Sequence, residues 1–230
     1  MAEGADDFIE TERKYDAAAG FALPDLAGLD NVAAVTGPRT YRLLAVYFDT
    51  PDFSLAKAKI TLRRRTGGTD AGWHLKLPAG AEDRREVHAP LGRSTHKVPA
   101  RLADMVTRWT GGRLLQPIAR LATTRRVRWL TGQDGQVLAE IADDLVVGSL
   151  PGPAPDTPTS PGSAAGQAGP GGTRWQEALR WREVEIELGT GPRELLDSAG
   201  ALLVRAGAAP SAEASKLSRL LDSAGPASGR

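Results

Sequence analysis

The motif Glu-Thr-Glu-Arg-Lys at residues 10–14 carries side chains that could do chemistry. Side chains alternate between the two faces of a strand, so Glu10, Glu12 and Lys14 would share one face. Two carboxylates and an ammonium would be costly over an ordinary apolar core. We interpret this face as the lining of a wet, charged cavity; a solvated edge strand is the alternative for this stretch taken alone.

The same alternation of charged and apolar side chains recurs along the chain and predicts eight strands. They lie at about residues 8–15, 41–50, 59–65, 73–78, 84–88, 120–130, 137–147 and 181–188. Helical spacing predicts helices at 99–109, 192–206 and 211–222, the last capped by Ser211, with short helical turns near 24–29 and 52–56. Eight antiparallel strands are enough to close a barrel with room inside for a small ligand.

The charges are sorted by strand, whereas solvated faces normally mix both signs. The carboxylates expected inside are Glu10, Glu12, Glu86, Glu140, Asp144, Glu183, Glu185 and Glu187. The basic residues expected inside are Lys14, Arg63, Arg65, Lys76, Arg84, Arg126 and Arg128, with Arg125, Val127 and Trp129 on the outer face. The predicted fold is therefore α+β, mainly β: an eight-stranded antiparallel closed barrel with charge inside and helices packed outside.

A lumen with these two sets of charges suits metal and phosphate chemistry. Clustered carboxylates repel one another unless a cation lies among them, and hard divalent cations prefer oxygen ligands. Crowded arginines and lysines call for a polyanion, and the guanidinium fork matches phosphate oxygens. No Walker loop or glycine-rich nucleotide motif is present, so side chains would bind the phosphates.

Composition excludes several classes of protein and predicts one domain over residues 1–230. The chain is 41% hydrophobic and 25% charged, with a net charge of +1 and no cysteine. We therefore expect no disulfide and no thiolate metal site, and neither nucleic acid nor a membrane as a partner. The absence of a long apolar run or a leader predicts a cytoplasmic protein. Residues 149–174, rich in Pro, Gly and Ser, are expected to form a disordered loop.

These motifs resemble those of the CYTH superfamily, the triphosphate tunnel metalloenzymes, and the chain looks like an actinobacterial member. Residues 10–14 match the family's ExExK signature. The motifs that follow in the same order are Tyr47-x-Asp49-Thr50 with Leu55, Leu62-Arg63-x-Arg65, Leu75-Lys76, Arg84-x-Glu86, Glu140 with Asp144, Glu185-x-Glu187 and Ser215-Lys216. The match spans the chain apart from residues 149–174.

The resemblance implies a tunnel that binds triphosphate with Mg²⁺ or Mn²⁺. The implied metal ligands are Glu10, Glu12, Glu86, Glu140, Asp144, Glu185 and Glu187. The implied phosphate contacts are Lys14, Arg63, Arg65, Lys76, Arg84, Arg126, Arg128 and Lys216, and the implied catalytic group is Glu10, Glu12, Lys14, Arg63 and Lys76. For Tyr47 and Asp49, a structural role and a direct role both stay open. His74 and His88 lie on expected lumen faces.

The resemblance leaves several reactions open, because family members share the phosphate site and differ in the rest of the substrate. We expect an inorganic triphosphatase, since aromatic residues are only 5% of the chain and the tryptophans are mostly assigned to outward faces or helices. The alternatives are a thiamine triphosphatase, a class IV-type adenylate cyclase and a non-catalytic module that binds polyphosphate or nucleotide. A fused or associated CHAD domain, linked to polyphosphate, is an expected partner; none lies within this sequence, whose tail GPASGR could be the point where a longer chain was cut.

Overall fold

The computed structural model describes residues 7–80, 83–152 and 173–224. Its strands are β1 Asp7–Ala17, β2 Ala34–Asp49, β3 Thr61–Thr66, β4 Gly72–Pro78, β5 Asp83–Ala89, β6 Gln116–Thr131, β7 Val137–Pro151, β8 Trp175–Leu188 and the two-residue β9 Ala209–Pro210. Its helices are α1 Ser54–Lys57, α2 Ala100–Thr110, α3 Glu194–Arg205 and α4 Lys216–Ser223.

The first eight strands close into an antiparallel ring. They follow the order β5-β4-β3-β2-β6-β7-β8-β1, and β5 also pairs with β1. The short strand β9, absent from the sequence prediction, pairs with β1 outside the ring. The predicted mainly β fold with an eight-stranded closed barrel is confirmed, although the ring is not evenly round. Closure leaves the ring with no unpaired edge strand.

Two helices cover the outside of this ring, as the alternation predicted. On α2, Leu102 and Val106 are fully buried and pack in one cluster with Leu62, Leu75 and Val87 from β3, β4 and β5. On α3, a stripe of leucines packs in a second cluster with apolar side chains of β7 and β8. The outward apolar faces of the strands therefore form two cores under these helices, and the inward faces are left for the lumen.

The last helix, α4, packs on the inward-facing side of the strands instead. Leu217 and Leu220 share a buried cluster with Tyr47, Leu121 and Val146, which lie on the inner faces of β2, β6 and β7. A side chain at position 148 would force Leu220 to move, because a Cβ on that glycine would lie 2.7 Å from a methyl carbon of this leucine. The helix therefore brings its first residue, Lys216, into the lumen.

The N-terminus of α4 corrects the predicted cap. The helix begins at Lys216, and the Ser215 hydroxyl accepts a hydrogen bond from the Ser218 backbone N–H at 3.0 Å. The predicted cap, Ser211, still follows strand β9, because its N–H donates to the backbone oxygen of Lys14 on β1. Ser211 thus extends the pairing with β1, and residues 212–215 form a loop that leads to the helix.

Several strands are longer than their apolar pattern predicted. β2 begins at residue 34 rather than 41, and β8 begins at 175 rather than 181. These added ends are largely exposed, so they carry no alternation to reveal them. β7 extends to Pro151 and therefore enters the predicted loop 149–174, whose residues 153–172 lie outside the described part. The turn expected near 24–29 is not helical. Separately, no helix among the described residues is long and apolar enough to cross a membrane.

The buried carboxylate of Asp49 has a structural role, which is one of the two roles that the sequence left open for this residue. It accepts hydrogen bonds from the backbone N–H groups of Thr50 at 2.7 Å, Leu55 at 2.9 Å and Ala56 at 2.9 Å. We expect Asp49→Ala to lower the free energy of unfolding by about 3 kcal/mol in urea titrations, because these bonds go to a charged acceptor. The exposed neighbour Asp52 provides the control: an equal loss in Asp52→Ala would contradict this account.

Candidate active site

The ring encloses one cavity of about 260 Å³ that receives side chains from all eight strands and from α4. The structure brings most of the sequence-predicted site residues to its lining. These are Glu10, Glu12, Lys14, Arg63, Arg65, Lys76, Arg84, Glu86, Glu140, Glu185, Glu187 and Lys216. Asp144 is fully buried just behind the lining, where it contacts Arg125 and Lys216.

Strand β6 corrects the predicted assignment of faces. Arg125, Val127 and Trp129 line the cavity, whereas Arg126 and Arg128 do not. The pairing of β6 with β7 runs from Arg120 to Leu130 without a bulge, so the odd-numbered residues all share the inner face. The prediction assumed that arginines lie inside and apolar residues outside, but this part of the lumen carries both. The sequence prediction missed Arg125 as a lumen residue for that reason. The signal that could have indicated it was the acidic pattern of the neighbouring strand β7.

Three carboxylates form a row across adjacent strands on one side of the cavity. Glu140 on β7 lies directly opposite Glu187 on β8, and Glu187 lies directly opposite Glu12 on β1. Glu10 lies on the same face of β1, two residues away. Like charges directly opposite each other destabilise a sheet, so this acidic row stores repulsion that an additional cation would relieve.

Burial outweighs the nearby positive charge at three of the four carboxylates, Glu10, Glu140 and Glu187. Burial, followed by the neighbouring Glu10, raises the pKa of Glu187 to about 8. Burial is also the main cause that raises the pKa values of Glu10 and Glu140. At Glu12 burial is outweighed by Lys76 and Lys14, and the pKa is lowered. Within residues 7–80, 83–152 and 173–224, no hydrogen bond or ion pair reaches the side-chain carboxylate of Glu187.

The second acidic cluster already holds a cation from the protein itself. The Lys216 ammonium lies 3.0 Å from Asp144, 2.6 Å from Glu183 and 2.8 Å from Glu185. The Arg125 guanidinium also donates to Asp144, at 2.9 and 2.7 Å, and to Glu185 at 2.7 Å. Carboxylates that could surround a metal here instead hold basic side chains in place. Four further lining carboxylates, Glu10, Glu12, Glu140 and Glu187, lie on neighbouring strands and offer oxygen atoms of the kind that hard divalent ions prefer.

The basic residues of β3 keep unused hydrogen-bonding capacity, although Arg65 forms an ion pair with Asp70 and Arg63 donates to the Tyr47 hydroxyl at 3.4 Å. The Nε atoms of Arg63 and Arg65 are buried and have no hydrogen-bond partner in the part of the chain that the structure describes. Burial, followed by Arg63 and Arg125, lowers the pKa of Arg65 to about 9. Guanidinium groups crowded in this way are stabilised by an anion with several oxygens.

The two histidines on the expected lumen faces contact one carboxylate. His74 Nδ1 lies 2.7 Å from Glu86 Oε1, and His88 Nε2 lies 3.0 Å from the same oxygen. The other oxygen of Glu86 lies 3.3 Å from the Lys76 ammonium, which also contacts Glu10. Glu86 therefore joins the histidines to Lys76 and positions this lysine between the acidic row and the basic residues.

The charged lining agrees with comparisons to known proteins. The model of the CYTH domain family matches residues 9–220. An uncharacterized protein of Mycobacterium tuberculosis, found in two strains, is 44% identical over 224 residues, which are 95% of this chain and 41% of that protein. The chain thus spans about two-fifths of the length of these curated relatives.

Two further similarities are more distant. Human thiamine-triphosphatase is 37% identical over 83 residues, which cover 35% of this chain and 30% of that enzyme. The crystal structure of a provisionally named adenylate cyclase from Bacillus halodurans has a TM-score of 0.59 at 18% identity, over 93% of this chain and 97% of that one. This second likeness concerns the fold alone. The family match over nearly the whole described chain shows that the protein belongs to the CYTH domain family.

Proposed function

We propose that the chain is a metal-dependent hydrolase of triphosphate, with inorganic triphosphate as its substrate and pyrophosphate and phosphate as its products. One observation carries the proposal: a single cavity has carboxylates that face one another beside guanidinium groups whose buried Nε atoms have no hydrogen-bond partner among the described residues. A divalent ion together with a phosphate chain would neutralise both sets at once. The partial likeness to human thiamine-triphosphatase supports the same reaction class.

The protein's own side chains have distinct parts in this chemistry. Glu10, Glu12, Glu140 and Glu187 would hold Mg²⁺ or Mn²⁺, which when bound neutralises phosphate charge and activates a water. Arg63 and Arg65 would bind the phosphate oxygens and stabilise the charge that develops on them during transfer.

Two lysines link the acidic row to the phosphates. Lys14 contacts Glu12 and lies 3.5 Å from Glu185, while Lys76 is held by Glu10 and Glu86. Each ammonium is therefore positioned by carboxylates on two strands, where it would meet a phosphate next to the metal. Arg84 and Lys216 line the same cavity and are proposed as outer phosphate contacts. A CHAD domain and polyphosphate stay proposed partners, as does a cytoplasmic location.

Phosphate release from inorganic triphosphate tests the proposal directly. The assay is run in Mg²⁺, in Mn²⁺ and in EDTA, with ATP in parallel and cyclic AMP measured as a product. We expect release that depends on the metal and no cyclic AMP. Cyclic AMP formation from ATP would establish the cyclase alternative. Tight binding without release in either metal would establish a capture module, which the acidic row argues against, because carboxylates weaken the binding of anions.

A pair of arginine variants tests which face of the sheet binds phosphate. Arg63→Ala should raise the KM for triphosphate about tenfold or more, because a hydrogen bond between charged groups is worth about 1.5–3 kcal/mol. Arg126→Ala should leave KM unchanged, because this exposed side chain does not line the cavity. Steady-state kinetics of both variants decide the point: a similar rise in KM for Arg126→Ala would restore the assignment made from sequence.

A further inference from the structure

The carboxylate of Asp70 lies against one of the proposed phosphate contacts, Arg65. The two side chains form an ion pair. Asp70 belongs to the loop of residues 67–71 that joins β3 to β4, and it lines the same cavity as Arg65. A carboxylate and a phosphate present the same kind of oxygen atoms to a guanidinium. Asp70 and a substrate phosphate would therefore compete for one side chain.

The two partners of this ion pair differ in their freedom to move. The side chain of Arg65 is 7% exposed, whereas that of Asp70 is 43% exposed. Arg65 lies within β3 and pairs with Gly72 on β4, so its guanidinium is confined to the cavity. The carboxylate of Asp70 can instead rotate into water, where it is solvated. An incoming anion could thus displace Asp70 and leave Arg65 in place.

The backbone of the β3–β4 loop is held while the Asp70 side chain is exposed. Gly67 has a φ of +79°, and a Cβ there would lie 2.0 Å from the backbone oxygen of Arg42 on β2. The loop therefore begins in close contact with β2, which only glycine permits. At Asp70 itself, the backbone oxygen lies 2.9 Å from His74 Nε2 on β4. Displacement of the carboxylate then requires a side-chain rotation and no movement of the loop.

An ion pair that merely orients Arg65 is the alternative explanation, and Arg125 shows the geometry of such a pair. Asp144, fully buried behind the lining, accepts hydrogen bonds from Nε and Nη2 of Arg125 at 2.9 and 2.7 Å. Asp70 contacts a terminal nitrogen of Arg65 from the cavity side, and the Arg65 Nε keeps no hydrogen-bond partner among the described residues. Asp70 therefore lies in front of its arginine, where a ligand would be.

We propose that the Asp70 carboxylate takes the place of a substrate phosphate at Arg65 and that triphosphate binds by displacing it. This inference rests on the proposed triphosphate site and adds an internal competitor to it. Such a competitor reduces the apparent affinity by the fraction of molecules in which Arg65 is available. The carboxylate also returns to Arg65 after hydrolysis and opposes the binding of pyrophosphate. Asp70 thus lowers the affinity of the cavity for substrate and product alike.

Calorimetric Kd values for triphosphate and pyrophosphate in Mg²⁺ test the competition. Asp70→Asn should lower the Kd for triphosphate about fivefold, because the amide keeps the shape of the carboxylate without its charge. A role in orienting Arg65 predicts the opposite sign, which is a higher Kd. Asp134→Asn is the matched control, since it removes the same charge from an exposed loop outside the cavity lining. The control should leave Kd unchanged.

A second variant separates displacement at Arg65 from repulsion across the cavity. In Arg65→Ala the carboxylate has no guanidinium to pair with, so adding Asp70→Asn should change Kd much less than fivefold. The comparison is made at about 0.15 M salt, which screens exposed charges. A full gain in this background would overturn the proposal, because the effect would then be general repulsion.

The outcomes also distinguish the competitor from the hydrolysis that it accompanies. An unchanged or higher Kd in Asp70→Asn would overturn the competition, while metal-dependent hydrolysis by the parent protein would leave the proposed function standing. If the parent binds triphosphate without hydrolysing it, the comparison of Kd values still decides whether Asp70 competes. If the parent binds no triphosphate, the proposed function and this inference both fail.

Discussion

Replacing Glu187 by glutamine should make the metal-free protein more stable and yet nearly inactive. Glu187 faces a carboxylate on each side, and the removal of like charges directly opposite each other should add about 0.5–1 kcal/mol to the free energy of unfolding. The same change removes an oxygen ligand from the proposed metal site. Loss of about 3 kcal/mol of metal stabilisation would reduce kcat about a hundredfold.

The pH dependence of this stabilisation has a definite sign. The pKa of Glu187 is raised in the folded protein, to about 8 from an ordinary 4.5. A raised carboxyl pKa contributes stability at low pH that is lost as the pH rises through the folded value. The advantage of Glu187→Gln should therefore grow between about pH 4.5 and pH 8 and stay constant above it.

Urea titrations at several pH values, Mn²⁺ calorimetry and phosphate release together check this variant. The control is Glu194→Gln, in which an exposed carboxylate in the first turn of α3 is removed. The control should bind Mn²⁺ normally. If the Glu187→Gln protein binds Mn²⁺ and hydrolyses triphosphate as well as the parent, the acidic row does not hold the metal.

Replacing Lys216 by methionine should cause the largest loss of stability. Its buried ammonium lies within 3.0 Å of three carboxylates, Asp144, Glu183 and Glu185. Removing one partner of a buried charge cluster costs about 3–5 kcal/mol, and Arg125 alone would then compensate Asp144 and Glu185. The same lysine begins α4, so we expect its loss to loosen the helix from the inner faces of the strands.

Thermal and urea unfolding of Lys216→Met measure this loss, with Lys57→Met on the exposed end of α1 as control. Adding Glu183→Gln to Lys216→Met should recover part of the stability, because it removes the excess negative charge that Lys216 had balanced at Glu183. A double variant no more stable than Lys216→Met alone would argue that the lysine stabilises by packing. A loss no greater than in the control would contradict its role as the counter-charge.

Alternation along each strand determined the fold and most of the cavity lining from sequence alone. Glu10, Glu12 and Lys14 were placed on one face, as were Arg63 and Arg65, because a strand has a side-chain period of two. That period reveals which residues share a face. It cannot decide which face is the lumen where both carry arginine, and the error at Arg125 and Arg126 arose there.

Only the tertiary structure decided which charges lie next to each other. The row of Glu12, Glu187 and Glu140 depends on the register of three strands, and Trp129 joins it through a fourth. The sequence likewise predicted a helix over 211–222 that contains Lys216, but not that the helix begins at this residue or packs on the inner faces. The alternation of side chains is a local property of the chain. Strand register and helix docking are set by contacts between residues far apart in sequence. The chemistry of this cavity depends on those contacts.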